Sequence, residues 1–265
     1  MEASASPIRG KDFEIYLQGS YRNRTNIYGD SDVDIIAQLN DTFGYDVSSL
    51  PVLHQASYQA NTPAATYFLS DFKRDVVNAL QRHFGTNRII VGNKAILVKV
   101  NDGRITADVI PSIQFRKFYQ NYPPAIGIRF DDNRGNVIVN YPKLHIENGE
   151  AKNADARTRG WYKPTVRIFK NFRNAVVSSG ALSGTAAPSY FVECLLYNAP
   201  DNLFSGTYTE SLPNILNWLW SSCAPNSFVC QNGQIALFGN LSTQWNLLDC
   251  RSFVEALINR WNNWS

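Results

Sequence analysis

The residues best suited to chemistry are two aspartates, Asp32 and Asp34, which stand at the head of an apolar run over 33–37. Alternate side chains of an extended strand point to the same face, so these two carboxylates are predicted to share a face. Neighbouring carboxylates repel each other, and a divalent cation relieves that repulsion. Ligand sets made only of oxygen favour Mg²⁺, with Mn²⁺ as the alternative.

A Gly-Ser pair, Gly19-Ser20, precedes the aspartates and changes how they are interpreted. A lone Asp-x-Asp is more often part of a solvated acidic loop beside a strand. Backbone N–H groups around Gly19 and the Ser20 hydroxyl can hold the β- and γ-phosphates of a nucleotide, because glycine allows close approach. Together the two motifs favour a metal-dependent nucleotide site.

A third carboxylate is predicted at Asp108, inside the apolar run 105–110. Another apolar run, 95–100, precedes it, and the sequence Asn-Asp-Gly at 101–103 is typical of a hairpin turn. An acid within such a strand can be a simple edge charge. Beside a strand that carries Asp-x-Asp, a metal ligand is the better interpretation.

Three carboxylates of this kind predict a two-metal in-line displacement at phosphorus. A ribose hydroxyl would attack an α-phosphate, and pyrophosphate would leave. One ion lowers the pKa of the attacking hydroxyl, and the other stabilises the leaving oxygens. Asp108 is predicted to ligate the first ion and to accept the hydroxyl proton.

The composition is that of a globular protein with a sizeable core, since 44% of the 265 residues are hydrophobic and 18% are charged. A net charge of +3 suits a pocket for nucleotides better than a long nucleic-acid track. We see no apolar run long enough to span a bilayer and no secretory signal, so we expect a cytoplasmic protein without a membrane partner.

Cysteines and tryptophans of the C-terminal half are predicted to serve packing. The scattered cysteines include no Cys-x-x-Cys pair, so free thiols are expected and a zinc site is not. These are Cys194, Cys223, Cys230 and Cys250. The tryptophans predicted to lie in the core are Trp218, Trp220, Trp245, Trp261 and Trp264.

Apolar periodicity predicts strands first and helices later, which indicates an α+β fold. Strands are predicted over 13–17, 33–39, 95–100, 105–115, 126–130 and 137–139, and a long helix over 64–84. Residues 40–63 are predicted to be a polar connection that contains proline. We predict a catalytic lobe over 1–150 with a mixed sheet and a helical lobe over 151–265.

A helix beginning near Pro164 carries a basic face beside its apolar stripe. Arg167 and Lys170 are placed to share that face. A solvated basic face is the ordinary interpretation, and binding of a triphosphate is the alternative. Ser189 and Tyr190 begin the next helix, where Ser189 could be its N-cap and Tyr190 could pack in the core.

At these residues the chain resembles the nucleotidyltransferases of the DNA polymerase β superfamily. More narrowly, it is similar to the bacterial relatives of cyclic GMP–AMP synthase, the CD-NTases, and the later motifs are most similar to clade E. The matching motifs lie at 17–21, 25–27, 29–34, 107–109, 140–145, 161–165 and 188–191. The resemblance extends from about residue 13 to the C-terminus.

This resemblance implies a two-lobed, polymerase-β-like cage around two nucleotide sites. Lys170 and Ser189 would contact the donor triphosphate, and Tyr190 would stack on a base. The full set of implied nucleotide-binding residues is Gln18, Gly19, Ser20, Asn140, Lys170, Ser189 and Tyr190. The implied catalytic and metal-binding residues are Asp32, Asp34 and Asp108, which would hold two Mg²⁺ ions.

The position of Asn140 corresponds to a base-pocket asparagine that clade E associates with a pyrimidine. The resemblance therefore implies that UTP is a substrate alongside ATP, and that cyclic UMP–AMP or a related dinucleotide is the product. Such products act in anti-phage (CBASS) signalling, through a downstream effector that responds to cyclic nucleotides.

Two other functions are compatible with the same motifs. The enzyme could transfer a nucleotide to an RNA, a protein or a small molecule, although the sequence shows no aromatic or basic track for a strand. A non-catalytic nucleotide sensor is the other alternative, and it would most simply have lost one of the carboxylates.

Overall fold

The computed structural model describes residues 8–28, 32–99, 106–204, 206–222 and 227–263. The predicted turn at 101–103, the motif residues 29–31, Cys223 and Trp264 lie outside this part of the chain.

The chain folds into two compact units. The first contains Met1–Gln18 and Asp32–Pro142, and the second contains Gly19–Ser31 and Lys143–Ser265. The short segment Gly19–Ser31 therefore belongs with the C-terminal helices, although it is inserted in the sequence of the first unit. The first unit ends at Pro142, whereas we placed the boundary near residue 150.

The first unit is built on a seven-stranded mixed sheet. Its strands are β1 (Phe13–Gln18), β2 (Val33–Ser49), β3 (Ile89–Val91), β4 (Ile96–Val98), β5 (Ala107–Tyr119), β6 (Ala125–Asp131) and β7 (Val137–Asn140). The order is β1-β2-β5-β4-β3, with β6 paired to β5 and β7 paired to β6. Among the described strands, β2 and β5 form the parallel pair and the other pairs are antiparallel.

Apolar side chains cover both faces of this sheet, which explains the nearly continuous apolar runs in β2 and β5. On one face Ala37 packs in a cluster with Phe72 of the helix α3 (Leu69–Phe84). Ile36 points to the other face and packs in a second cluster with Ile128. The sheet and its helices confirm the predicted α+β class.

Residues 40–63 do not form the polar connection that we predicted. β2 continues to Ser49, and the helix α2 (Val52–Asn61) follows it. The extension is stabilised by pairing with β5 and by aromatic packing, since the ring of Tyr45 meets that of Tyr58 edge-on at 4.9 Å between centroids. A strand whose partner lies far away in the sequence is not visible from local composition.

A side-chain cap sets the start of α3. The helix begins at Leu69, later than the predicted residue 64, and the Asp71 carboxylate accepts a hydrogen bond from the Phe68 N–H at 3.1 Å. An acid in the first turn also complements the positive end of the helix dipole.

The second unit is helical. Its helices are α1 (Gly19–Asn23), α4 (Pro142–Asn153), α5 (Asp155–Thr158), α6 (Tyr162–Ser178), α7 (Ser189–Tyr197), α8 (Tyr208–Ser222) and α9 (Leu247–Asn262). Pro164 lies in the first turn of α6, as predicted, and the buried stripe of that helix includes Val166, Phe169, Phe172 and Val176. Within the described chain, no helix is long and apolar enough to cross a membrane.

The cysteine prediction is confirmed for the described residues, because Cys194, Cys230 and Cys250 are buried free thiols. The tryptophan prediction holds only in part. Trp245 is buried in the helical core, whereas Trp220 is 62% exposed. Trp220 lies on the outer face of α8, where helical spacing alone does not distinguish a core position from a surface one.

We expect Gly127→Ala to destabilise the protein by roughly 1–3 kcal/mol through overpacking. A methyl group on Gly127 would lie 2.5 Å from the Asn140 carbonyl oxygen and 2.8 Å from the Tyr141 ring. Urea unfolding measures the change. Gly184→Ala is the matched control, because its nearest neighbour would be Val177 at 3.6 Å. Equal unfolding midpoints for the two variants would contradict the packing argument.

Candidate active site

The three predicted carboxylates lie on two adjacent parallel strands. In the β2–β5 ladder Asp34 is the direct partner of Asp108, so both side chains point to the same face of the sheet. Asp32 precedes β2 by one residue and lies two positions before Asp34, which places it on the same side. The structure thus places on one face of the sheet the three residues that the motif and the apolar runs predicted.

The negative charge of Asp32 acts on the Asp108 carboxyl group. Burial, and next the negative charge of Asp32, raise the pKa of Asp108 above its usual range. Asp32 is exposed, and its carboxylate accepts a hydrogen bond from the Thr106 hydroxyl. A cation near these side chains would relieve the repulsion that raises the Asp108 pKa.

The donor set fits Mg²⁺ or Mn²⁺, because it consists of carboxylate oxygens. Within the described residues, no three His, Cys, Asp or Glu side chains are close enough to form a ready-made metal site. Binding of a cation would therefore have to draw these carboxylates closer together.

Gln18 is the last residue of β1, and Gly19 is the first residue of the short helix α1 that follows it. In the first unit, Gln18 is the ladder partner of Asp34. In the second unit, Gly19 begins α1 with a φ of +67°, in the left-handed region that favours glycine. The Ser20 carbonyl accepts a hydrogen bond from the Thr25 N–H at 2.9 Å. Gly19 and Ser20 are therefore the first residues of a short helix that follows β1, and their role in binding phosphates stays a prediction.

Lys170 lies inside the second unit and not on a solvated basic face. Its side chain is 3% exposed. The ammonium donates to a carboxylate oxygen of Glu193 and to the Thr25 carbonyl oxygen at 3.1 Å. A buried ammonium needs such a counter-charge, because an unpaired one is strongly disfavoured. Direct binding of a triphosphate by Lys170 stays a prediction, and these contacts do not support it.

Glu193 is the centre of this buried cluster, and the sequence analysis missed it. Its carboxylate accepts hydrogen bonds from the Thr25 hydroxyl and from the Asn23 amide at 3.1 Å. It also lies 3.1 Å from Nε2 of His145. The available signal was one carboxylate within α7, whose other residues are largely apolar. Such an acid is rarely buried unless it is paired.

The partners of Glu193 outweigh the cost of its burial. Burial by itself raises the pKa of the carboxyl group, but the His145 hydrogen bond and the Lys170 charge lower it to about 2. The ionised form is therefore the stable one in the folded protein. His145 is one of these partners and is itself only 5% exposed.

Arg167 contacts the same loop that Glu193 holds. Its guanidinium donates a hydrogen bond to the Arg24 carbonyl oxygen at 2.7 Å. Arg24 has a φ of +57°, an uncommon conformation for a residue other than glycine. Arg167, on the basic face of α6, thus binds the loop after α1 through a backbone carbonyl oxygen.

Ser189 and Tyr190 lie at the start of α7. Pro188 precedes the helix without a side-chain cap, and Ser189 is its first residue, so the N-cap alternative for Ser189 is wrong. The Tyr190 ring stacks on His145, with centroids 5.3 Å apart and planes 23° apart. Tyr190 also packs against the helical core. Its stacking on a base, like the phosphate role of Ser189, stays a prediction.

Asn140 ends β7 in the first unit. Its side-chain oxygen accepts a hydrogen bond from the Tyr141 N–H at 2.8 Å. Because the oxygen is engaged, the amide nitrogen is the group that can donate to a carbonyl oxygen of a base. Selection of the base by Asn140 is a prediction that these contacts do not test.

Comparison with known proteins shows the family to which the chain belongs. Residues 147–262 match the cGAS/DncV-like nucleotidyltransferase C-terminal helical domain. A cyclic UMP-AMP synthase from Rhodothermus marinus is 40% identical over 95% of this chain and 85% of its own length. The cyclic nucleotide synthase CdnE01 from Staphylococcus haemolyticus is 39% identical over 100% of this chain and 90% of its own length.

A solved structure extends the similarity to the fold. The Rhodothermus marinus CdnE c-UMP-AMP synthase with Apcpp and Upnpp superposes with a TM-score of 0.86 at 39% identity. The match covers 96% of this chain and 85% of that one. The similarity therefore includes the sheet that carries the three aspartates as well as the C-terminal helices.

We expect Glu193→Gln to remove a pH-dependent part of the stability. The folded-state pKa of about 2 lies below the ordinary value of 4.5. The ionised group thus contributes roughly 3 kcal/mol above pH 4.5, and this contribution is lost as the pH falls through 2. Urea unfolding at a series of pH values should show a wild-type advantage that is largest near neutral pH and shrinks in acid.

The exposed Glu147 provides the matched control for this titration. Glu147→Gln should change the unfolding free energy little at any of these pH values. An advantage of wild type over Glu193→Gln that stays constant from neutral pH to pH 2 would show that the Glu193 charge does not carry it.

Proposed function

Since the chain belongs to the cGAS/DncV-like nucleotidyltransferases, we propose that it joins two nucleoside triphosphates into a cyclic dinucleotide and releases pyrophosphate. The observation that carries this proposal is the ladder pairing of Asp34 with Asp108, with Asp32 on the same face. The identity to synthases of this kind over nearly the whole chain supports it.

Each of the two transfers has the same balance of bonds. A ribose hydroxyl oxygen of one nucleotide forms a bond to the α-phosphorus of the other. The bond from that phosphorus to the bridging oxygen breaks, and pyrophosphate leaves with the electron pair. Asp108 accepts the hydroxyl proton, a role for which its position opposite Asp34 on the same face of the sheet suits it. The second transfer closes the ring.

Asp32, Asp34 and Asp108 are the residues that would hold the metal. Two Mg²⁺ ions, or Mn²⁺, would supply charge neutralisation on the phosphates and lower the pKa of the attacking hydroxyl. The nucleotides would be bound by the remaining predicted residues: Gln18, Gly19, Ser20, Asn140, Ser189 and Tyr190. We propose that Tyr190 offers a ring face to a base.

UTP and ATP are the proposed substrates. The Asn140 amide nitrogen can donate to a carbonyl oxygen of uracil, because its own oxygen is engaged by Tyr141. The name of the Rhodothermus marinus relative gives cyclic UMP-AMP as its product. We further propose that the product acts in the cytoplasm in anti-phage signalling, through an effector that binds the cyclic dinucleotide.

We expect Asp34→Ala and Asp108→Ala to lower the rate of pyrophosphate release by about 10³-fold or more, several kcal/mol of transition-state stabilisation. The assay supplies Mg²⁺ and each labelled triphosphate in turn, followed by nuclease and phosphatase digestion. A cyclic product resists phosphatase because it has no terminal phosphate.

Asp155→Ala, at an exposed acid of the second unit, is the matched control and should keep wild-type activity. An Asp34→Ala enzyme with wild-type activity would refute the assignment of roles. Label that appears on RNA, on protein or on a small acceptor would identify a different transferase. Binding of a triphosphate without release of pyrophosphate would identify a sensor.

We expect Asn140→Ser to shift incorporation from uridine towards purines. The measurement is competition between labelled UTP, ATP and GTP for entry into the product. A serine side chain is too short to keep both the Tyr141 contact and a donor to the base, so discrimination of about 1–3 kcal/mol should be lost. Asn61→Ser, on the exposed helix α2, is the control. An unchanged nucleotide ratio would exclude Asn140 from the choice of base.

A further inference from the structure

The strand pairing that sets Asp34 opposite Asp108 also sets a threonine opposite Asp32. The pairing continues before the two strands, because the Val33 N–H donates a hydrogen bond to the Thr106 carbonyl oxygen at 3.1 Å. Thr106 lies two positions before Asp108, as Asp32 lies two positions before Asp34. Side chains alternate along a strand, so the threonine shares the face that carries the acids.

The Thr106 side chain contacts Asp32 directly. Its hydroxyl donates a hydrogen bond to the Oδ1 atom of the Asp32 carboxylate. Thr106 is half-buried, whereas Asp32 is exposed. A β-branched side chain also has few χ1 rotamers. The donor is therefore more restricted than the acceptor, and the bond limits the orientations that the Asp32 carboxylate can adopt.

Asp32 is the acid of this site that the sheet itself supports least. Asp34 pairs with Gln18 of β1 on one side and with Asp108 of β5 on the other. Asp32 precedes β2, and it lies beyond the last residue of β1. The side of Asp32 that faces Thr106 is thus the side on which the ladder supplies a neighbour.

A donor on one oxygen of a carboxylate leaves the other oxygen for a cation. The hydroxyl engages Oδ1, so Oδ2 of Asp32 is the atom that can bind a metal ion while this bond is kept. Hydrogen bonds of this kind orient the ligands of metal sites, and loss of the partner typically costs about 10- to 100-fold in metal affinity. A hydroxyl also adds no fourth negative charge to the face that carries the acids.

We propose that Thr106 is a positioning residue of the metal site, whose hydroxyl holds the Asp32 carboxylate with its second oxygen towards a divalent cation. Thr106 acts through Asp32 and touches neither the cation nor the nucleotide. The inference rests on the proposed function in that the three aspartates hold the metal.

Titration of Mn²⁺ followed by electron paramagnetic resonance tests this assignment. The titration is made in the presence of α,β-methylene ATP, whose methylene bridge prevents the release of pyrophosphate. Thr106→Val keeps the β-branched shape and the backbone bond to Val33, and it removes the hydroxyl. We expect this variant to bind Mn²⁺ about tenfold more weakly than wild type, because Asp32 loses its donor. Thr106→Ser keeps the hydroxyl and should bind Mn²⁺ nearly as tightly as wild type.

Thr106→Ala separates the hydroxyl from the packing of the side chain. It should weaken Mn²⁺ binding as Thr106→Val does, and it carries the comparison with Thr106→Ser if the valine variant does not fold. Mn²⁺ binding that is unchanged or tighter in the variants without the hydroxyl would overturn the proposal. Equal weakening in Thr106→Ser and Thr106→Ala would also overturn it, since packing would then account for the effect.

Thr42→Val is the matched control, because it makes the same chemical change on β2. The Thr42 hydroxyl donates to the Tyr67 carbonyl oxygen at 2.5 Å, and Thr42 lies beyond the ladder irregularity that follows Leu39. Mn²⁺ binding should stay at the wild-type level in this variant. A role of Thr106 in the fold alone predicts a lower urea midpoint for Thr106→Val with unchanged Mn²⁺ affinity, and that result would contradict the proposal.

The dependence of turnover on metal gives a second readout. Thr106→Val should raise the Mg²⁺ concentration for half-maximal release of pyrophosphate about tenfold, and its rate at saturating Mg²⁺ should fall less. A wild type that binds Mn²⁺ without making a cyclic product would refute the proposed function and leave this inference standing. A wild type that binds no Mn²⁺ would refute both.

Discussion

The parallel pairing of β2 with β5 is the constraint on which the candidate site depends. It sets Asp34 opposite Asp108, and a slip of one residue would turn one of them to the other face. Both faces of these strands are buried, so such a slip would also expose apolar side chains. The two irregularities in the ladder fall after Leu39 and after Asp46, beyond the three candidate carboxylates. The apolar core thus holds the three acidic residues on one face of the sheet, at the start of the two strands.

Local patterns predicted much of the fold, and distant pairing accounts for what they missed. Strands β1 and β7 follow apolar periodicity, and their observed bounds lie within a few residues of the predicted ones. The helix α6 begins close to Pro164, as predicted. The continuation of β2 to Ser49 was missed because it depends on β5, which is remote in the sequence. The exposure of Trp220 was missed for a related reason, since helical spacing does not identify the face that packs.

The site was predictable where strand alternation determines it and unpredictable where a counter-charge does. Asp32 and Asp34 share a face because of a period of two, and the apolar run around Asp108 indicated a neighbouring strand. The burial of Lys170 depends on Glu193, which lies 23 residues further along the chain on another helix. A basic helix face and a buried lysine give the same local pattern, and only the partner distinguishes them.

The pKa values of two buried or partly buried acids, one in each unit, are shifted in opposite directions. In the first unit, burial and the negative charge of Asp32 raise the pKa of Asp108, so the ionised form of this carboxyl group is disfavoured in the folded protein. Natural folds retain such unfavourable clusters mainly where a ligand relieves them. In the second unit, His145 and Lys170 lower the pKa of Glu193 to about 2 in spite of its burial. These hydrogen bonds fix the positions of Asn23 and Thr25, because both side chains donate to the ionised Glu193 carboxylate.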